Sequence, residues 1–404
     1  MTLASRRLDW VDIAKGLCII LVVLMHATHG VDKALGTTSL IEPFIEWARP
    51  FRLPDFFLIS GLFLAARIDR PWRAFLDGKV VHFAYFYVLW THILLAMKAP
   101  GLINEAGIRG FFELYVSTLV RPFGPIWFLY LLAVYCVATK LLRRAPVPFV
   151  LISAALLHVK APQTGAFLID EFANRFVFFY AGYALSRYIL TYADRLRAVS
   201  MPLVMALILV WAALNSIAVT SGLASMPGLD LAVSAVGIGA IIAFSVMLAQ
   251  IDLGATLAYL GRNTIAIYVA FTIFMSAVRV ALLKLGPGLP GEIVALAATL
   301  AGIAGPLLAA YLVKGTPLGF LFERPAWAHL SHRPAKIGTM LDGLVRVLRS
   351  LRPAPVATRT ARASRLAPAS RVTARVPVRR SPMPRPSRPP PASFDIRTYR
   401  AEIR

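Results

Sequence analysis

The sequence predicts an all-α fold: a polytopic transmembrane helical bundle of about ten spans, followed by a disordered basic C-terminal tail. Three observations carry this. Hydrophobic residues make up 58% of the 404 positions and mean hydropathy is +0.67, above the roughly 45–50% apolar content of soluble domains. Apolar runs recur until about residue 314, and most are near the roughly 20 residues a helix needs to cross hydrocarbon, whereas barrel strands would alternate over about ten. The charge of +23 is uneven, because residues 346–404 hold fifteen arginines against two acids, Asp395 and Glu402.

The first span, near 11–29, carries Lys15 and His26 eleven residues apart. At about 100° per residue they return to one helix face, about 16 Å apart along the axis, with Asp12 and His29 within roughly 40° of the same line. Intramembrane ionisable groups cost kilocalories unless paired or solvated, so this stripe faces the bundle interior rather than lipid. A purely structural reading is that Lys15 snorkels to the interface, Asp12 pairs with it and His26 makes an interhelical polar contact. The first span carries Asp12 and Lys15 and shows no small-residue cleavage site, so it reads as a span rather than a cleaved signal.

The second span, 44–66, has Arg49, Arg52 and Asp55 at its outer entrance and Arg67-Ile-Asp-Arg70 at its inner end. The third, 80–98, opens with the aromatic run His82–Trp90, an interfacial belt. The remaining spans fall near 123–142, 147–159 (the shortest), 172–190, 201–221, 230–250, 258–284 and 292–314. Arg175, at the start of the sixth, is a candidate buried partner for an acid. Bases concentrate in alternate loops, at Arg6 and Arg7, Arg67 to Lys79, Lys140 to Arg144, Arg187 to Arg197, and Arg262. The positive-inside bias therefore puts both termini in the cytoplasm.

Residues 1–330 thus form the transmembrane domain. In 331–352, Met340, Leu344, Leu348 and Leu351 recur at helical spacing with arginines between them, as in an amphipathic juxtamembrane helix on an anionic leaflet. Residues 353–404 are rich in Arg and Pro and lack the apolar surface to offset ordering entropy. A juxtamembrane polybasic stretch meets anionic lipid before nucleic acid, so membrane lipid is the expected partner and nucleic acid is not. Cys18 and Cys136 both lie in apolar runs, and His82, His92 and His158 lack ligand spacing, so no metal site is expected.

Five segments occur in a telling order: Lys15 with His26, Phe51-Arg-Leu-Pro-Asp through Arg67-Ile-Asp-Arg70, Gly124-Pro-Ile-Trp-Phe-Leu-Tyr130, Leu260-Gly-Arg-Asn-Thr-Ile-Ala-Ile-Tyr268, and Leu321-Phe-Glu-Arg-Pro325. Together they resemble the membrane-bound acyltransferase-3 family, which includes bacterial polysaccharide O-acetyl- and O-succinyltransferases. The resemblance covers about residues 6–330. It matches the family's base-then-histidine motif to Lys15 and His26, the preceding acid to Asp12, the Arg-x-x-Arg motif to Arg67 and Arg70, and a Trp–Tyr pair to Trp127 and Tyr135. Two positions depart: Leu132 replaces a frequent glutamate and Phe271 a frequent histidine.

The resemblance implies an enzyme of the bacterial cytoplasmic membrane that moves an acyl group, usually acetyl, from cytoplasmic acyl-CoA to an extracytoplasmic glycan or glycolipid hydroxyl. Acyl-CoA is then a co-substrate, no cofactor is tightly bound, and glycan-assembly proteins are candidate partners. Imidazole titrates near pH 6.5, so His26 suits a general base, or alternatively a transient acyl carrier. Asp12 would orient Lys15. Lys15, Arg67, Arg70 and Arg73 suit the donor's phosphates. Arg49, Arg52, Asp55, Trp127 and Tyr135 are the candidate acceptor contacts. The competing class is a transporter or flippase of a lipid-linked precursor, which often shows an internal repeat absent from this chain.

Overall fold

The computed structural model describes residues 9–330, apart from 119, 120, 123 and 287, and contains no strand among them. Residues 331–404, where the amphipathic helix and the disordered tail were expected, lie outside the described residues.

Helix α1 (Asp9–Leu35) starts with Asp9 and Asp12 in its first turn and has Lys33 in its last, complementing the helix dipole at both ends. It packs against α2 (Glu42–Ala65), α9 (Leu229–Leu248), α10 (Leu253–Arg262), α11 (Thr264–Leu285) and α12 (Gly291–Val313). A helix enclosed on so many sides can keep a charged stripe away from lipid. Because lipid tails are as apolar as leucine, such contacts depend on close packing through small residues rather than on water exclusion. Gly261 of α10 lies so close to α1 that a Cβ there would overlap the Asp12 carbonyl. The next residue, Arg262, is thereby set beside the start of α1.

Helix α2 begins with proline at its first turn and contains Pro50 and Pro54, each of which removes a backbone donor from the helix ladder. It packs on α6 (Phe167–Ala184) by reciprocal glycines: Gly61 against the Phe179 carbonyl and Gly182 against the Leu58 carbonyl. Helix α8 (Met201–Thr220) is tied to α2 where Asn215 donates to the Trp47 carbonyl at 2.8 Å and Trp47 donates to the Ala212 carbonyl at 3.3 Å.

Among the described residues, seven helices are long and apolar enough to cross a membrane: Asp9–Leu35, Trp72–Ser117, Gly124–Leu142, Met201–Thr220, Leu229–Leu248, Thr264–Leu285 and Gly291–Val313. Of the other expected spans, α2 carries Glu42, Glu46, Arg49, Arg52 and Asp55, α6 carries Asp170, Glu171 and Arg175, and α5 (Val147–Lys160) is short.

Three expected boundaries move. The third helix, α3 (Trp72–Ser117), starts before residue 80 and continues past 98 to an interruption at Gly107, whose φ of 70° only glycine adopts readily. The expected span at 172–190 divides at Leu185 between α6 and α7 (Ser186–Leu196). The expected span at 258–284 divides at Asn263 between α10 and α11. There the Asn263 side chain donates to the Tyr259 carbonyl at 2.9 Å and the Thr264 hydroxyl to the Gly261 carbonyl at 2.6 Å. Such local side-chain bonds compete with the helix ladder.

Candidate active site

At one end of the bundle the structure gathers cations around two cavities. In the first turns of α1, Lys15 Nζ sits 2.5 Å from Asp12 Oδ1 and 5.3 Å from the centre of the Phe63 ring. The i,i+3 spacing places the acid one turn below the base, as expected for an orienting pair. Lys15 lines a 210 Å³ cavity with Lys79 and Arg262. Its other walls are mostly apolar, from Phe56, Ile59 and Phe63 of α2, Leu129, Leu132 and Cys136 of α4 (Trp127–Leu142), and Phe179 of α6. Leu132, the departure from the family's glutamate, is one of these apolar walls.

Lys79 stands on a π-helical turn, Leu76–Val81, inside α3. Widened turns of this kind are rare and often mark functional sites. Arg67 reaches the same turn, its Nη1 lying 3.8 Å from where a Cβ on Gly78 would be. The Arg67–Arg70 loop is in turn held by Lys140 of α4. Lys140 is only 2% exposed; its Nζ donates to the Ile68 carbonyl at 2.6 Å and the Arg70 carbonyl at 2.7 Å, and lies 4.4 Å from the Phe75 ring centre. Arg73 is drawn elsewhere, donating to the Leu330 carbonyl at 2.6 Å, and it lines neither cavity.

A second cavity of 630 Å³ adjoins the first, sharing Arg262 and Ile265 as lining. It is bounded by α3, α10, α11, α12 and the segment after α12, with His82, Asn263, Lys314, Glu323, Arg324 and His329 among its polar lining residues.

His26 stands farther along α1, half-buried, with its ring centre 5.3 Å from that of Phe271. Phe271 is 6.2 Å from Tyr268, which lines the smaller cavity and donates its hydroxyl to the Pro125 carbonyl. A run of rings thus links His26 to the cation-lined chamber, and Phe271, the departure from the family's histidine, packs against the catalytic candidate itself.

The five acceptor candidates do not gather at one open mouth. Arg49 is exposed and bonds Glu46 at 2.9 Å and Ser225 at 2.8 Å. Arg52 is 6% exposed and turned inward, donating to the Ile45 carbonyl at 3.2 Å and reaching Met25 Sδ at 2.9 Å, beside His26. Asp55 is fully buried and accepts from Cys18 Sγ at 3.0 Å, while its other oxygen has no partner among the described residues. Both were expected at a solvent-facing entrance, but the inward face of α2 against α1 buries them. Tyr135 is buried, with its hydroxyl donating to the Glu171 carbonyl at 2.8 Å. Trp127 is half-buried under the Arg175 guanidinium, 5.1 Å from its ring centre, and Arg175 pairs with Glu171, which supplies the acid partner expected for it.

Lys79, Arg262 and His82 line these cavities and Lys140 holds the adjoining loop, positions that sequence reasoning does not single out. In the sequence the three bases read chiefly as positive loop charges and His82 as part of an aromatic belt. His158, read as unremarkable, ties α5 to α6 and α9, through the Asn174 carbonyl at 2.5 Å and Asp230 at 2.9 Å.

The family described as "Acyltransferase domain", within acyltransferase-3, matches residues 8–314 of the chain. The chain is also 27% identical over 183 residues to "Inner membrane protein YcfT" of Escherichia coli (strain K12), covering 39% of this chain and 51% of that protein. The match therefore spans about half the length of that curated relative. No solved structure matches.

Proposed function

The chain belongs to the acyltransferase-3 family and is a membrane acyltransferase, and from that premise we propose that it transfers an acyl group, acetyl being the simplest, from cytoplasmic acyl-CoA to a hydroxyl of an extracytoplasmic glycan or glycolipid. The membrane is then the bacterial inner membrane, with both termini cytoplasmic, and glycan-assembly proteins would supply the acceptor. Membership in an acyltransferase family displaces the transporter reading.

The observation that carries the proposal is the apolar chamber with Lys15, Lys79 and Arg262 on its walls, linked by a run of tilted ring contacts to His26. A thioester arm is thin and largely neutral and suits such a chamber. Its phosphates need cations, and guanidinium groups pair with phosphate in a bidentate manner. In this scheme Lys15, oriented by Asp12, and the Arg67–Arg70 loop, fixed by Lys140, attract the donor; Arg73 serves the loop by anchoring Leu330.

His26 takes the acceptor hydroxyl proton as the oxygen attacks the thioester carbonyl. The carbon–sulfur bond breaks, and the proton passes to the departing thiolate. Arg52, beside Met25, supplies a fixed positive charge near the developing oxyanion. Arg49, Asp55, Trp127 and Tyr135 then act on the acceptor side by shaping the helices around His26, and the Trp127–Arg175 pair is the most accessible aromatic surface among them.

The test is transfer itself. Purified protein in nanodiscs, given radiolabelled acetyl-CoA and an envelope glycan fraction, should put label into glycan in a protein-dependent manner. Glycan that stays unlabelled with acetyl, succinyl and longer donors would refute the proposal.

A further inference from the structure

The larger cavity is not needed by the transfer step, yet it is furnished for an anion. Arg324 is only 5% exposed, lines the cavity and pairs with Asp77 at 3.2 Å, while its buried Nε has no hydrogen-bond partner among the described residues. A buried donor left unmade costs kilocalories, and a ligand oxygen would remove that cost. Arg262 and Lys314 also line the cavity, and neither side chain has an ion pair or hydrogen bond among the described residues. Glu323 is the acid in this lining, so the positive charges outnumber it. Tyr259 and Tyr311 add aromatic faces on which a base can stack.

The volume also fits. At 630 Å³ the cavity lies within the roughly 300–1,000 Å³ typical of sites that enclose a small ligand. It meets the smaller chamber at Arg262, so one ligand with a wide anionic head and a thin neutral arm can occupy both. We propose that the larger cavity seats the phosphate-bearing nucleotide end of the acyl donor, with Arg262, Lys314 and Arg324 Nε as its phosphate contacts. This rests on the acyl-CoA reading above and moves the main phosphate contacts away from Arg67, Arg70 and Arg73, the set sequence suggested. The shared Arg262 then marks where the diphosphate gives way to the arm, which continues past Lys79 and Lys15.

The same chemistry could come from an anionic lipid headgroup, and binding to the full-length protein in phosphatidylcholine nanodiscs separates the sources. Coenzyme A and adenosine 3′,5′-bisphosphate should both bind and compete. Arg262→Met and Lys314→Ser should each weaken both ligands about tenfold or more, Arg262→Lys should retain most affinity, and pantetheine, which lacks the nucleotide, should bind all variants alike. Folded Arg262→Met and Lys314→Ser proteins that bind coenzyme A like wild type would overturn the proposal while leaving the acyl-CoA reading intact, and a loss confined to Arg67→Met would place the phosphates at the other loop. Displacement of the bisphosphate by phosphatidylglycerol, abolished by Arg262→Met, would assign the cavity to lipid and overturn it too. Wild-type protein that binds no coenzyme A in any form would sink both readings together.

Discussion

Replacing Lys140 with methionine keeps the side-chain length and removes the ammonium that holds the Arg67–Arg70 loop. Two charge-assisted bonds disappear, at 2.6 Å to the Ile68 carbonyl and 2.7 Å to the Arg70 carbonyl. Such bonds are worth about 1.5–3 kcal/mol each. Ile68 is 5% exposed and its carbonyl keeps only a long contact from Arg143 Nη1 at 3.5 Å, whereas Arg70 is exposed and water compensates in part. The ammonium also sits 4.4 Å from the Phe75 ring centre, adding about 0.5–1 kcal/mol. The expected destabilisation is about 3 kcal/mol. It concentrates on the segment between α2 and α3, so affinity for coenzyme A should fall as Arg67 and Lys79 lose their registration, while Lys140→Arg should restore part of both. Equilibrium unfolding in mixed micelles and coenzyme A binding by calorimetry read the two effects. A Lys140→Met protein within about 0.5 kcal/mol of wild type and with unchanged affinity would refute the reasoning, because the ammonium would then be dispensable to the loop.

Other substitutions follow the same geometry. His26→Ala should abolish transfer while membrane insertion and coenzyme A binding persist, and normal turnover would remove His26 from the mechanism. Gly182→Val would drive a branched side chain into the Leu58 backbone, and a cost of about 1–3 kcal/mol or more should appear as lost folded yield or lower thermal stability. Deleting residues beyond Pro353 should leave turnover per folded molecule near wild type; severe loss in well-expressed truncated protein would give the tail a part in catalysis.

Much of the fold was legible because apolar run length is a strong signal in lipid, and the runs at 201–221, 230–250 and 292–314 return as α8, α9 and α12 with small shifts. The Asp12–Lys15 pair was legible too, since a three-residue spacing fixes neighbours on a helix. What escaped lies in local geometry that hydropathy does not encode, and in which helix faces meet. Nothing local announces that Asn263 will bond the Tyr259 carbonyl and divide a continuous apolar run, so Arg262 read as a loop charge instead of the hinge between two cavities. The inward turn of Arg52 and Asp55 depends on which face of α2 meets α1, which hydropathy alone does not assign when both faces are apolar. Lys79 escaped because its π-turn shifts the face it presents by a register that ordinary helical periodicity does not contain.

The central claim is that a thioester arm enters the Lys15–Lys79 chamber and brings its acyl carbon toward His26. Photolabelling with a diazirine-bearing acyl-CoA on membranes that expose the cytoplasmic face, followed by peptide mapping, tests this directly. Label on the chamber walls of α2 and α4, between Ile59 and Phe63 or Leu129 and Cys136, and on α1 between Lys15 and His26, is the predicted result. Label that avoids these segments and falls on the outward apolar face of α8, or is not displaced by excess coenzyme A, would contradict the account.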